Sequence, residues 1–258
     1  MFGKNRSTAT SNQSPANPIS FTKDTTGKPA VDLDKVTAGG HINLSKTAET
    51  VGVSLRKRDL AGMRGRVIAV IDHSGSMYSD YQSGAVQTLL ERVLGFGLQI
   101  DTDGAVEVIP FDSRVWAGST VNLNNYQQAS RNIWKQHQMG STNLAAALNT
   151  VLKEAAKTRE PIVAVVITDG DPDDRQAATR VVCDLARYPV FLKFLALRSV
   201  PYLQELDDLE QVRPGARLLD NVDAKAIYAG MSDAEFAEAM VDEWDSWLAA
   251  ATQAGVLR

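Results

Sequence analysis

Asp72, Ser74 and Ser76 occupy alternate positions in Ile71-Asp72-His73-Ser74-Gly75-Ser76. Further along, Thr142 falls in Gly140-Ser141-Thr142 and Asp169 in Thr168-Asp169-Gly170. Two carboxylates and three hydroxyls are hard oxygen donors, which suit Mg²⁺, Mn²⁺ or Ca²⁺ rather than zinc. So few formal charges do not over-neutralise a divalent ion, and an open coordination position would attract a carboxylate from outside. Mg²⁺ usually keeps waters, so some of these side chains would act through them. Taken alone, Asp-x-Ser-x-Ser also reads as a strand end whose Asp and Ser begin a helix. The choice depends on whether distant segments supply the rest of a site.

The elements that must position these residues are legible in the pattern. Val67-Ile68-Ala69-Val70-Ile71 runs straight into Asp72, and Ile162-Val163-Ala164-Val165-Val166-Ile167 runs into Thr168-Asp169. Continuous apolar runs of this kind belong to parallel strands covered on both faces. Ala105 to Phe111 and Val190 to Leu197 predict two more strands, with edge pairing expected around Arg114–Trp116, Thr120–Leu123 and Arg217–Leu219. Helices are expected at about 82–100, 126–134, 144–156, 174–187, 201–209 and 234–251, the first with Val86, Leu89, Leu90, Val93, Leu94 and Leu98 at helical spacing. Alternating strands and helices give an α/β, doubly wound, mostly parallel sheet. Parallel strands gather their C-terminal ends at one edge, where ligands bind in such sheets. Residues 72, 74, 76, 142 and 169 can therefore converge.

Residues 1–40 are rich in Ser, Thr, Asn, Gly and Pro and read as a disordered tail or linker. In 41–60, His41-Ile42-Asn43-Leu44 and Val51-Gly52-Val53-Ser54-Leu55 alternate apolar and polar residues and predict a short β extension, followed by a solvated Arg56-Lys57-Arg58. Residues 61–258 form the main domain. A net charge of -4 without a basic stripe excludes nucleic acid as an expected partner. The one cysteine, Cys183, rules out an intrachain disulfide and reads as a helix-face residue. With no signal-peptide core and no bilayer-length apolar run, the expectation is a cytoplasmic protein without membrane contact.

The three motifs together resemble the metal-ion-dependent adhesion site of the von Willebrand factor A (vWA) domain family, in the family's order and spacing, over about residues 60–255. The resemblance implies a six-stranded, Rossmann-like sheet with one antiparallel edge strand. It also implies that Asp72, Ser74, Ser76, Thr142 and Asp169 hold a divalent cation, directly or through water, and that an acidic residue of a protein partner completes the coordination. Within the family the chain is most similar to the bacterial tellurium-resistance and stress-response cluster type, through Asp101-Thr102-Asp103-Gly104, Pro110-Phe111-Asp112 and Thr168-Asp169-Gly170-Asp171-Pro172. Gly39 to Lys46 resembles the opening strand of a tellurium-resistance D-type domain, whose remainder is absent.

Other residues carry less. His73 lies between two ligand positions and is expected to point away from the metal. His41 and His137 have no partner in the sequence. Gly95-Phe96-Gly97 falls late in a helix and does not read as a dinucleotide loop. Asp101 to Gly104 lacks the later ligands of an EF-hand and reads as a turn. Asp171, Asp173 and Asp174 crowd beside Asp169. They suit a helix N-terminus; the sharper reading is that they tune the metal site or a second ion, Asp171 and Asp173 first among them. No nucleophile stands beside a base, so an interaction module is expected rather than an enzyme. The alternatives are a metal-dependent phosphoester or nucleotide enzyme and a structural subunit with a vestigial site.

Overall fold

Both apolar runs are central strands of one sheet. A computed structural model describes residues 23–257 apart from 159, 210–214, 216 and 229. The strands are β1 (Arg66–Asp72), β2 (Ala105–Phe111), β3 (Ser119–Asn122), β4 (Ile162–Thr168), β5 (Val190–Ala196) and β6 (Val222–Ala226). Their order is β3-β2-β1-β4-β5-β6; β3 runs antiparallel to β2 and the other neighbours are parallel. From β1 the chain winds outward to β2 and β3, then returns to β4 on the opposite side of β1. The winding direction therefore reverses between β1 and β4, and a crevice opens beyond their C-terminal ends. Asp72 and Asp169 sit there because Ile71 is in register with Ile167.

The helices are α1 (Leu33–Ala38), α2 (Ile42–Lys57), α3 (Tyr78–Ser83), α4 (Ala85–Ile100), α5 (Ala129–Ile133), α6 (Leu144–Ala155), α7 (Arg175–Leu185), α8 (Pro201–Asp207), α9 (Asp233–Val241) and α10 (Trp244–Gln253). They make the two apolar layers that the continuous strand runs require. Val67, Ala69 and Ile71 pack with α2, α4, α9 and α10, while Ile68 and Val70 pack with α6, α7 and α8. Among the described residues, no helix is long and apolar enough to cross a membrane.

Several sequence-based expectations are corrected. Residues 41–60 contain no β extension: His41 precedes a 16-residue helix, α2. Leu44, Ala48, Val51 and Leu55 are its buried stripe, so the short alternations were segments of a helical period. With that strand gone, the likeness of Gly39–Lys46 to the D-type opening strand falls as well. Gly52 does not break α2 but lets it approach α4, since a Cβ there would lie 2.7 Å from Gln99 Nε2; Gln99 Nε2 instead donates to the Ala48 carbonyl at 2.6 Å.

The disordered tail expected over residues 1–40 falls partly outside the described residues. From Lys23 onward the chain is tied to the domain, with the N–H groups of Ala30 and Val31 bonded to the carbonyls of Gln99 and Leu98 and Asp32 capping α1, although Val36 alone is buried in 23–40. The last strand is Val222–Ala226 rather than Arg217–Leu219. The helix expected over 234–251 is two helices, divided at Glu243, whose φ is 59°.

Candidate metal centre

β1 delivers Asp72 to the crevice fully buried. Its Oδ1 accepts the Ser74 N–H at 2.7 Å and its Oδ2 accepts the Thr168 hydroxyl at 2.6 Å. The first bond folds the loop back on the strand, and the second ties β1 to β4 at their tips. The Tyr81 hydroxyl adds a bond of 3.1 Å to the Asp72 carbonyl. Burial pushes the Asp72 carboxyl up to about 6, opposed by the bonds from Thr168 and Ser74 and assisted by the charge of Asp169.

From Asp72 the oxygens form a chain. Ser74 Oγ lies 3.0 Å from Ser76 Oγ, and the Ser76 hydroxyl donates to Asp169 Oδ1 at 2.7 Å. Thr142 arrives on the neighbouring loop, which is joined to the first one by the Gly75 N–H donating to the Gly140 carbonyl at 2.8 Å. A Cβ on Gly140 would lie 2.6 Å from Ser113 Oγ and 3.2 Å from the Ser113 backbone nitrogen, so glycine lets this loop close against the segment after β2. Asp72, Ser74, Ser76 and Asp169 are thus linked by hydrogen bonds, with Thr142 on the abutting loop; Ser76 is exposed and the other four are buried.

Asp173 and Asp171 part company. Asp173 Oδ2 accepts the Thr142 N–H at 3.1 Å and its own N–H donates to the Thr142 carbonyl at 3.0 Å, which fixes the threonine. Asp171 pairs instead with Arg175. Asp174 caps α6 by accepting the N–H groups of Leu144 and Ala145 at 3.0 and 2.9 Å.

His73 does turn away from the ligand positions, into a fully buried place. Its Nε2 accepts the Lys135 N–H at 2.7 Å, which leaves the proton on Nδ1, 3.2 Å from Asp112 Oδ2. Burial lowers its pKa, against the pull of Asp112. The imidazole therefore acts as a neutral brace that joins the Asp72–Ser76 loop to the segments before Gly140 and after β2. Thr168, Asp80 and Arg198 were not singled out by sequence reasoning. Thr168 was within reach as the neighbour of Asp169. The other two meet the site only through the fold: Arg198 Nη1 donates to Asp169 Oδ2 at 2.6 Å and to Asp80 Oδ2 at 2.9 Å.

The profile described as vWA-TerF-like, the vWA found in the TerF C terminus, matches residues 64–257. The chain belongs to this family. Its vWA-TerF-like region begins just before β1 and ends after α10, so α1 and α2 precede it. The uncharacterized protein YcbR of Bacillus subtilis (strain 168) is 28% identical over 227 residues, covering 84% of this chain and 90% of that one. Two solved structures are similar in fold. One is manganese-loaded TRAP protein of Plasmodium vivax, with a TM-score of 0.49 and 18% identity over 70% of this chain and 73% of that one. The other is an aerotolerance-related membrane protein from Bacteroides fragilis NCTC 9343, with a TM-score of 0.40 and 18% identity over 51% of this chain and 67% of that one.

A second acidic group lies at the β6 side of the sheet, where carboxylate oxygens of Asp207, Asp223 and Glu243 come within 4.8 Å of one another. The protein's own cations already occupy it. Lys193, fully buried, pairs with Asp223, and Lys225 Nζ lies 2.8 Å from Asp223 Oδ1 and 3.5 Å from Glu243 Oε1.

Proposed function

We propose that this vWA-TerF-like chain is a metal-dependent protein-interaction module. Asp72, Ser74, Ser76, Thr142 and Asp169 hold Mg²⁺, or alternatively Mn²⁺ or Ca²⁺, and the cation captures an acidic residue of a partner protein. The observation that carries the reading is Asp72. It is a fully buried carboxylate whose hydrogen bonds come from a hydroxyl and a peptide N–H, beside a second carboxylate and two more hydroxyls. A buried charge is normally paired or coordinates a metal. These oxygens fit a hard cation, and the five side chains contribute only two formal charges, which leaves the ion able to attract a third carboxylate. The bound ion would supply that electrostatic attraction, while the protein supplies its position.

We assign no catalytic role. His73, the imidazole nearest these residues in sequence, has Nε2 bonded to the Lys135 N–H and Nδ1 facing Asp112, so it is not poised as a base. The setting we propose is the cytoplasm, in a bacterial tellurium-resistance or chemical-stress system, on the strength of the family's name.

Calorimetric titration of the full chain with Mg²⁺ and Mn²⁺, beside Asp72→Ala, tests the cation. Capture of a partner from the native cytoplasm with and without EDTA tests the module. Retained capture in EDTA, or by Asp72→Ala, would sink the proposal, as would turnover in a phosphoester panel that Asp169→Ala abolishes. Loss of tellurite tolerance on deletion, restored by the wild-type chain but not by Asp72→Ala, would support the stress setting.

A further inference from the structure

Arg198 is a charged residue of this edge that the cation reading leaves unused. It follows β5 by two residues, and its backbone is placed by the Leu197 N–H donating to the Thr168 carbonyl at 2.9 Å. From there the guanidinium reaches back over the site. Nη1 donates to Asp169 Oδ2 at 2.6 Å, both Nη1 and Nη2 lie 2.9 Å from Asp80 Oδ2, and Nη2 is 3.4 Å from Ser79 Oγ. Both oxygens of Asp169 are therefore engaged, Oδ1 by the Ser76 hydroxyl and Oδ2 by the guanidinium. The exposures of the three side chains are unequal: Asp169 is 2% exposed, Asp80 15% and Arg198 45%. The carboxylate is fixed in the wall of the site, while the guanidinium lies at its mouth on a long, half-exposed stem.

A divalent cation on Asp72, Ser74, Ser76 and Asp169 would sit next to that guanidinium as a like charge, and both seek the same carboxylate. We propose that Arg198 and the cation are alternative partners of Asp169. This rests on the reading of the edge as a cation site and adds a means of control to it. Without the ion, Arg198 closes the site through charge-assisted bonds to Asp169 and Asp80. When the ion binds, the guanidinium releases Asp169 and keeps Asp80, which is placed to hold it in either state. Cation affinity is then lowered by the displacement of the arginine, and the mouth opens to a partner's carboxylate only in the loaded state.

The test uses the full chain, with Mn²⁺ binding followed by water-proton relaxation and Mg²⁺ binding followed by the guanidinium NMR signal of Arg198, assigned by its loss in Arg198→Ala. Melts in EDTA establish that each variant is folded. The expected result is that Arg198→Ala binds Mn²⁺ on the order of tenfold more tightly than wild type, within the usual range of such couplings. Arg198→Lys, which keeps the charge but loses the fork, should fall between them. The guanidinium signal should move with the same midpoint as Mg²⁺ binding. Equal or weaker binding by Arg198→Ala, or an unmoved guanidinium signal during saturation, overturns the inference and leaves the cation site standing. Absence of Mn²⁺ binding by both wild type and Arg198→Ala overturns both. If Arg198→Ala is unfolded at the working temperature, Arg198→Lys and the wild-type guanidinium signal decide in its place.

Discussion

Asp72 and Asp223 are both fully buried carboxylates on strands of one sheet, and the protein treats them in opposite ways. Asp223, on β6, faces a cation made by the chain. Lys193 on neighbouring β5 pairs with it and spends its other two protons on the carbonyls of Ala239 and Asp242, at 2.7 and 2.9 Å, at the C-terminal end of α9. Burial brings the Lys193 ammonium down to about 8, opposed by Asp223. Asp72, on β1, has a hydroxyl and a peptide N–H where Asp223 has ammonium groups, and its carboxyl rises to about 6 through burial. A buried carboxylate held by a buried ammonium of the chain, as Asp223 is by Lys193, belongs to the scaffold. One without it is a place where an external cation can contribute stability, and that difference marks the site better than acidity does. By carboxylate clustering alone, the Asp207, Asp223 and Glu243 group would have been chosen instead.

Removing each charge in turn should separate the two carboxylates. Asp223→Asn should leave Lys193 buried without its counter-charge and destabilise the fold by about 3–5 kcal/mol. Asp72→Asn should instead stabilise the cation-free protein at pH 7, by up to about 3 kcal/mol for a carboxyl raised by roughly two pKa units. Urea denaturation in EDTA reads both, and equal signs would end the contrast.

The pH dependence follows from the same shift. The folded-state pKa of Asp72 lies above its unfolded value, so its stabilising contribution is complete below about 4 and is lost as pH rises through about 6. The difference between wild type and Asp72→Asn in EDTA should therefore open across that window. Mn²⁺ affinity should fall as pH is lowered through about 6, because protons compete for the carboxylate. Next in size, saturating Mn²⁺ at about a hundred times its dissociation constant should add about 2.7 kcal/mol to wild type and nothing to Asp72→Ala.

His73→Phe should cost about 1–3 kcal/mol by leaving the Lys135 N–H and Asp112 short of a partner, with weaker Mn²⁺ binding through the loosened Gly140 loop. The smallest effect belongs to Lys57→Ala. Its pair with Glu238 is largely exposed, and its loss should change stability by less than about 1 kcal/mol in the same urea assay.

Much of the site was legible because it obeys local rules. Strands buried on both faces must be apolar throughout, so β1 and β4 announce themselves, and the polar residues directly after them must lie at one edge. The parts that were missed depend on partners far along the chain. β6 reads Val222-Asp223-Ala224-Lys225-Ala226, a sequence that looks like a polar loop until Lys193 is placed beside Asp223. Arg198 resembles any exposed arginine after a strand, and only the parallel register of β4 and β5 brings it to Asp169. In α2, windows of four or five residues showed alternation, whereas the spacing of Leu44, Ala48, Val51 and Leu55 needs a longer window to show as helical.

α2 is an early segment that is completed by a late one. Thr47 bonds Asp233, Ser54 and Lys57 reach Glu238, and Arg58 reaches Asp242, contacts that each span more than 180 residues. Contacts of such long sequence separation are closed late and fold slowly. During synthesis α2 must wait, with its apolar stripe only partly covered, until α9 has left the ribosome. The candidate site, by contrast, has all its residues within 72–198, so its closure does not wait for the segment that carries α9.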